Sequence, residues 1–283
     1  GLFLPKAFLH PIITLFSIPT LYHISRNLKR FFTKNLTADF NFVSGLEQFY
    51  ELLEKCDCFP KTSQPAPHDF EVLLKEFMKN NDECIIITVS SSLSGTYQNA
   101  SLVKNILAYE NCYIVDSLNA AAGERLLTDY AIKLRNDGKS AKEIFGELEI
   151  LKTKIKLYAC LDTLEYLHRG GRLSKTAYTV GMIANIKPVI HILKDGTIKV
   201  SSKAMSIRGG INSISKKLCA CTPDKKYPIY VLYSNNRKNG DLLADALRKS
   251  GFDVPDKNII NIGATIGSHI GSNACGVACI SKD

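Results

Sequence analysis

Thr88-Val-Ser-Ser-Ser-Leu-Ser-Gly-Thr-Tyr-Gln-Asn99 is the stretch on which the fold turns. It is preceded by Cys84-Ile-Ile-Ile-Thr-Val89, a short, β-branched, nearly unbroken apolar run. Such a run reads as a strand covered on both faces, as in a parallel sheet. Tyr97 to Ala108 reads as a helix. Strand, hydroxyl-rich turn and helix together make an anion site, because the first helical N–H groups have no internal partner and the helix dipole favours negative charge there. Ser94 and Thr96 add hydroxyl donors. Ser94 also suits a simple N-cap. A Walker-type phosphate loop is excluded because no Lys stands in the turn, and the G-x-S-x-G elbow of a serine hydrolase is missing too.

Outward from this turn, strand and helix patterns alternate. Gly45 to Cys56 is a short amphipathic helix. Phe59 to Pro67 holds three prolines and is forced into an extended loop that displays Thr62 and Ser63 before a helix over His68 to Asn80. Asn111 to Ser117 is a strand, Asn119 to Arg135 a helix, and Ser140-Ala-Lys-Glu143 a capping box opening the next helix. Lys156 to Leu161 reads as a third strand of the same sheet. This alternation predicts an α/β fold with a mostly parallel sheet, and ligands in such sheets sit beyond the carboxyl ends of the strands, where Ser91 to Thr96 falls.

Beyond Thr163 the pattern changes. Tyr166 to Ser174 is a basic glycine turn between helical segments, and Ala177 to Ile186 an uncharged helix. Lys187 to Val200 is a hairpin around Asp195-Gly196. Ser206 to Leu218 and Asp241 to Lys249 are helices, and Tyr227 to Tyr233, Ile259 to Ile262 and Gly276 to Ile280 strands. Gly263 to Gly271 is glycine-rich, so His269 reads as a turn residue. The expected organisation is a first domain over 1–163, with residues 1–44 atypical, and a mixed α/β second domain over 164–283.

Composition narrows the function. With 283 residues, 45% of them hydrophobic, the chain can bury a large core and is not a disordered one. The net charge of +9 would suit nucleic acid, but five of the basic residues stand in 1–38 without an acid, which leaves an excess of only four positive charges over the rest. No aromatic-interleaved basic stripe follows, so nucleic-acid binding is not expected. Nine cysteines, an odd number with no C-x-x-C pair, fit free thiols in a reducing cytoplasm. Cys56, Cys58, Cys219 and Cys221 have poor spacing for zinc. The first 24 residues are too broken by proline for a spanning helix and lack a convincing cleavage site.

Six pieces, in order over about residues 46–283, resemble the DegV family of bacterial fatty-acid-binding proteins. They are Lys61-Thr-Ser-Gln-Pro65, Ser91-Ser-Leu-Ser-Gly-Thr-Tyr-Gln98, Val115-Asp-Ser117, Gly170-Gly-Arg-Leu-Ser-Lys175, Lys187-Pro with Asp195-Gly196, and Gly267-Ser-His-Ile-Gly271. The chain departs from the family in its first 44 residues, which lack the usual opening T-D-S turn, and at Ser272-Asn273, which replace the family's proline. The resemblance implies two α/β domains with one long-chain fatty acid in the cleft between them and no cofactor. It places the carboxylate on Thr62 and Ser94, with Gly95, Thr96 and His269 beside it, and with Ser63, Ser92, Arg172 and Arg208 as head-group or partner contacts. It further implies that the protein is not itself a catalyst but presents the acid to a separate kinase that phosphorylates the carboxylate, which leaves room for transient membrane contact. Two other classes stand beside this reading: an acyl hydrolase using Ser94 and His269, and an α/β enzyme binding a phosphorylated ligand in the 91–96 turn.

Overall fold

The computed structural model describes residues 13–14, 45–55, 59–175, 178 and 186–282. Two sheets organise them. The first is three parallel strands in the order β1 (Ile13–Thr14), β2 (Cys84–Thr88), β3 (Cys112–Asp116). Every residue of β2 is buried. Cys84 and Ile86 face Phe70, Leu74, Ala100 and Val103, whereas Ile85 and Ile87 face Leu127, Ile144 and Leu148. These partners come from α2 (Pro67–Asn80) and α3 (Thr96–Leu107) on one side and from α4 (Ala122–Asn136) and α5 (Ala141–Leu151) on the other. The period-2 alternation of strand side chains therefore sends both faces into helices, which is why the run carries no charged residue. Ser140 caps α5, its hydroxyl accepting from the Glu143 amide, as the capping box predicts.

The second sheet has six strands in the order β6-β5-β4-β9-β7-β8. They are β4 (Ile155–Cys160), β5 (Lys187–Ile192), β6 (Ile198–Ala204), β7 (Tyr230–Tyr233), β8 (Ile259–Asn261) and β9 (Cys275–Ile280). The hairpin predicted around Asp195-Gly196 is β5–β6, with Gly196 at φ +79° in its tip. Helices α7 (Ile207–Ala220) and α8 (Lys238–Lys249) lie on one face, and β7–α8–β8 is the parallel unit of an otherwise antiparallel sheet.

Three expectations are corrected. The strand at Lys156 to Leu161 does not extend the first sheet; as β4 it pairs antiparallel with both β5 and β9. Its sequence is equally apolar in either place, and only long-range pairing chooses. The helix expected from Asn119 begins at Ala122 instead. Asp116 accepts from the Ser91 and Leu118 amides and Asn119 from the Ala120 amide, so side chains hold 116–121 in a turn that competes with the helix. Gly263 to Gly271 is not a turn but carries α9 (Ala264–Ile270). Gly267 lets α1 (Leu46–Lys55) approach α9: a Cβ there would lie 2.6 Å from the Tyr50 hydroxyl, which donates to the Ile262 carbonyl at 2.8 Å. Packing thus overrides glycine's poor helix propensity. The uncharged stretch 177–186 falls almost wholly outside the described residues, as do Cys56 and Cys58.

Candidate functional site

An apolar cavity opens where the two sheets meet. Its walls are Phe70 and Leu73 from α2, Val89 and Leu93 around the serine turn, Leu157 and Ala159 of β4, Ile190 and Ile192 of β5, Ile198 of β6 and Leu232 of β7. Ala120, Ala121, Leu167, Ile262, Ile266 and Ile270 complete it. The strand pairs two residues apart, such as Leu157 with Ala159, point to one face. The cavity offers about 180 Å³ to the centre of a water-sized sphere. One water needs roughly 10–15 Å³ on that measure, so the space suits a sizeable molecule, and its lining suits an apolar one.

Its polar groups come from five places in the chain, Asp69 being on α2. Thr62 lies in the proline loop, Ser94 and Thr96 at the start of α3, Arg172 after α6 (Glu165–Arg169), and His269 on α9; all line the cavity, with Ser63, Asp69 and Thr265. The Thr62 hydroxyl is 2.7 Å from His269 Nε2. Arg172 Nε donates to the Leu93 carbonyl at 2.8 Å, and Nη1 to the Gly170 carbonyl at 2.5 Å. Gly170 sits against His269: a Cβ built on it would be 2.2 Å from Nδ1. The 62–65 loop is held to α3 by Asn99, whose side-chain amide donates to the Pro65 carbonyl at 2.9 Å, and by Gln64, whose Oε1 occupies the space over Gly95. A chain of contacts thus runs from Thr62 through His269, Gly170 and Arg172 to Leu93 and Ser94.

Ser94 is not the N-cap of α3. Gly95 takes that position and offers no side chain, while Ser94 Oγ lies 2.8 Å from Thr96 Oγ1. The first-turn amides of α3 therefore have neither an intrahelical partner nor a side-chain cap. Burial, reinforced by the nearby Arg172 charge, pushes His269 down to about 4, so its ring is neutral near pH 7. His269 Nδ1 is buried without a partner. Burial also lowers Arg172, which stays charged because guanidinium starts so high.

Not every residue singled out in the sequence comes to the cavity. Ser92 donates to the Asp195 carbonyl at 2.8 Å, and Ser90 to the Gly196 carbonyl at 3.0 Å. These two serines fasten the turn to the hairpin tip. Arg208 is exposed and does not line the cavity. Thr265, Asp69 and the hairpin isoleucines do line it and carried no motif; period-2 apolar spacing in Ile190 and Ile192 was the available signal. Among the described residues, no three His, Cys, Asp or Glu side chains are placed to hold a metal ion, and no helix is long and apolar enough to cross a membrane.

Fold and cavity define an α/β protein of two sheets with an apolar ligand site where they meet. The sequence model of the DegV family, described as one of uncharacterised proteins, matches residues 43–282, and the chain belongs to that family. A DegV domain-containing protein of Clostridium acetobutylicum is 34% identical over 249 residues, covering 87% of this chain and 85% of that one. Among solved structures, a DegV family protein of Thermus thermophilus described by its fatty acid binding is 28% identical, with a TM-score of 0.74 over 83% of each chain. A fatty acid binding DegV family protein of Streptococcus agalactiae is 25% identical, with a TM-score of 0.74 over 84% of each chain.

Proposed function

We propose that this protein binds one long-chain fatty acid, its tail in the apolar cavity and its carboxylate on Thr62 and Ser94. The observation that carries this reading is the meeting of Thr62, Ser94, Thr96, Arg172 and His269 on one cavity whose other walls, apart from Ser63, Asp69 and Thr265, are hydrocarbon. A carboxylate takes hydroxyl donors and the free amides that follow Gly95 at the start of α3. The tail gains roughly 0.8 kcal/mol for each methylene it buries. Neutral His269, donating from Nε2 to the Thr62 oxygen, leaves the Thr62 hydroxyl proton to donate to the ligand. The fatty acid binding of the Thermus and Streptococcus proteins supports the same ligand class.

The further reading, that the acid is presented to a separate fatty-acid kinase in the cytoplasm, rests on the motif set shared with the family. A carrier agrees with the site: Ser94 pairs with Thr96 and His269 with Thr62, so no serine–histidine nucleophile is assembled. The test is native mass spectrometry of protein purified from a bacterial host. The wild type should carry stoichiometric fatty acid, and Thr62→Ala with Ser94→Ala should carry little; undiminished lipid in that folded double variant overturns the assignment.

A further inference from the structure

Seven described cysteines are reduced, and six of them stand in pairs. Cys84 with Cys112 and Cys160 with Cys275 are register partners on adjacent strands, and all four are fully buried. The third pair differs. Cys221, directly after α7, has its sulfur 3.8 Å from that of Cys279 in β9. Cys279 is buried but Cys221 is half-buried, so this pair has one thiol in reach of a small molecule from solvent.

We propose that Cys221 and Cys279 form a redox-active dithiol, closed to a disulfide by a low-molecular-weight disulfide that arrives at Cys221. Three features carry this. The sulfurs already touch, and closing from 3.8 Å to a bond of roughly 2.05 Å is within the reach of side-chain rotation. The backbone on either side is already joined: the Asp224 amide donates to the Ile280 carbonyl at 2.8 Å, the Lys282 amide to the Thr222 carbonyl at 3.1 Å, and Pro223 bridges Ser281. The third feature is charge. The Cys279 thiol as hydrogen-bond donor, and then the Lys156 ammonium, hold Cys221 below its ordinary value, while that same hydrogen bond and burial push Cys279 up. Cys221 is the attacking thiolate and Cys279 the resolving thiol.

The chemistry balances as two exchanges. Cys221 loses its proton to solvent and its sulfur attacks one sulfur of the oxidant RSSR, giving Cys221–S–S–R and releasing RS⁻, which takes up a proton. The Cys279 sulfur then attacks Cys221 Sγ, its proton passing to the second RS⁻ as that leaves. Two protein thiols are oxidised by two electrons, and RSSR is reduced to two RSH.

Full-length protein treated with oxidised glutathione, alkylated in denaturant and digested without reductant provides the test. Trypsin yields residues 218–225, with Cys219 and Cys221, and residues 258–282, with Cys275 and Cys279. A joined pair of these peptides, separated by dithiothreitol, is expected, with two fewer alkylatable thiols per chain. It should survive Cys219→Ser and Cys275→Ser and vanish in Cys221→Ser, a half-exposed position whose variant is checked for folding by circular dichroism. Failure of the joined peptides to form in the wild type, or their persistence in Cys221→Ser, overturns the proposal.

Discussion

Thr62 and His269 are 207 positions apart in the chain, yet Thr62 Oγ1 lies 2.7 Å from His269 Nε2. This contact joins the proline loop to α9 and places a neutral imidazole behind a hydroxyl that faces the cavity. The fold is needed to make it, and the properties of the site follow from it.

The pH response of the lipid-free protein is the first consequence. His269 is held at about 4 in the folded chain against an ordinary 6.5, so between those values the unfolded chain binds the extra proton. Its contribution to stability is therefore whole above about pH 6.5 and is lost as pH falls towards 4, by up to roughly 3 kcal/mol. Thermal melting of delipidated protein should decline across that window, and His269→Asn should flatten the decline. Superimposable profiles for the two proteins would refute the role given to this ring.

Arg172 ties the glycine turn after α6 to the serine turn. Arg172→Met keeps the aliphatic stem but removes the donors to the Leu93 and Gly170 carbonyls. Stability should fall by about 1–3 kcal/mol, seen as a lower denaturation midpoint at unchanged slope, and displacement of a fluorescent fatty acid should show affinity about tenfold weaker. Arg172→Lys should recover only part of both, because one ammonium cannot span two carbonyls as a guanidinium does.

Ala159 lines the cavity wall on β4 with a single methyl group. Ala159→Phe puts a ring into open space rather than into a packed core, so folding should be retained while the tail loses its path. Calorimetric titration should show a long-chain acid bound at least tenfold more weakly, with a short-chain acid much less affected. Equal losses for both would indicate that the ring has disturbed the head-group end, not the tail.

Two glycines should separate stability from binding. A Cβ at Gly276 would lie 2.8 Å from the Tyr158 carbonyl oxygen and 3.0 Å from the Ala159 Cβ. Backbone of a central strand cannot yield, and Gly276→Ala should cost about 2–3 kcal/mol on chemical denaturation. A Cβ at Gly95 would meet only the end of the Gln64 side chain, 1.9 Å from Oε1. Gln64 can swing away, so Gly95→Ala should leave stability within about 1 kcal/mol while freeing the 62–65 loop and weakening lipid retention.

Much of this molecule was legible from residue order. The run 84–88 announced a strand covered on both sides, Ser140 with Glu143 announced α5, and Asp195-Gly196 announced the hairpin. Thr62, Ser94, Thr96, Arg172 and His269 were named from the ordered motifs, and all five line the cavity. Ser92 and Arg208 were named on the same footing and do not, nor does Gly95, which stands at the N-cap of α3; Ser92 fastens the hairpin tip, and Arg208 faces solvent. Both residue types suit an anion equally well, and composition carries no record of which carbonyl a hydroxyl will meet.

What residue order determined by itself is local: which segments are strand or helix, where glycine and proline break them, and which turn offers hydroxyls beside free amides. Those properties depend on backbone dihedrals and on burial periodicity within a few residues of one another. What only the tertiary structure decided is pairing at a distance: β4 joining β5 and β9 rather than β3, the 263–271 segment coiling into a helix against Tyr50, and His269 turning its Nε2 to Thr62. An apolar strand has the same local preferences beside any neighbour, and a glycine-rich segment the same flexibility. The choice among partners is made by long-range hydrogen bonding and packing, which no short window of sequence contains.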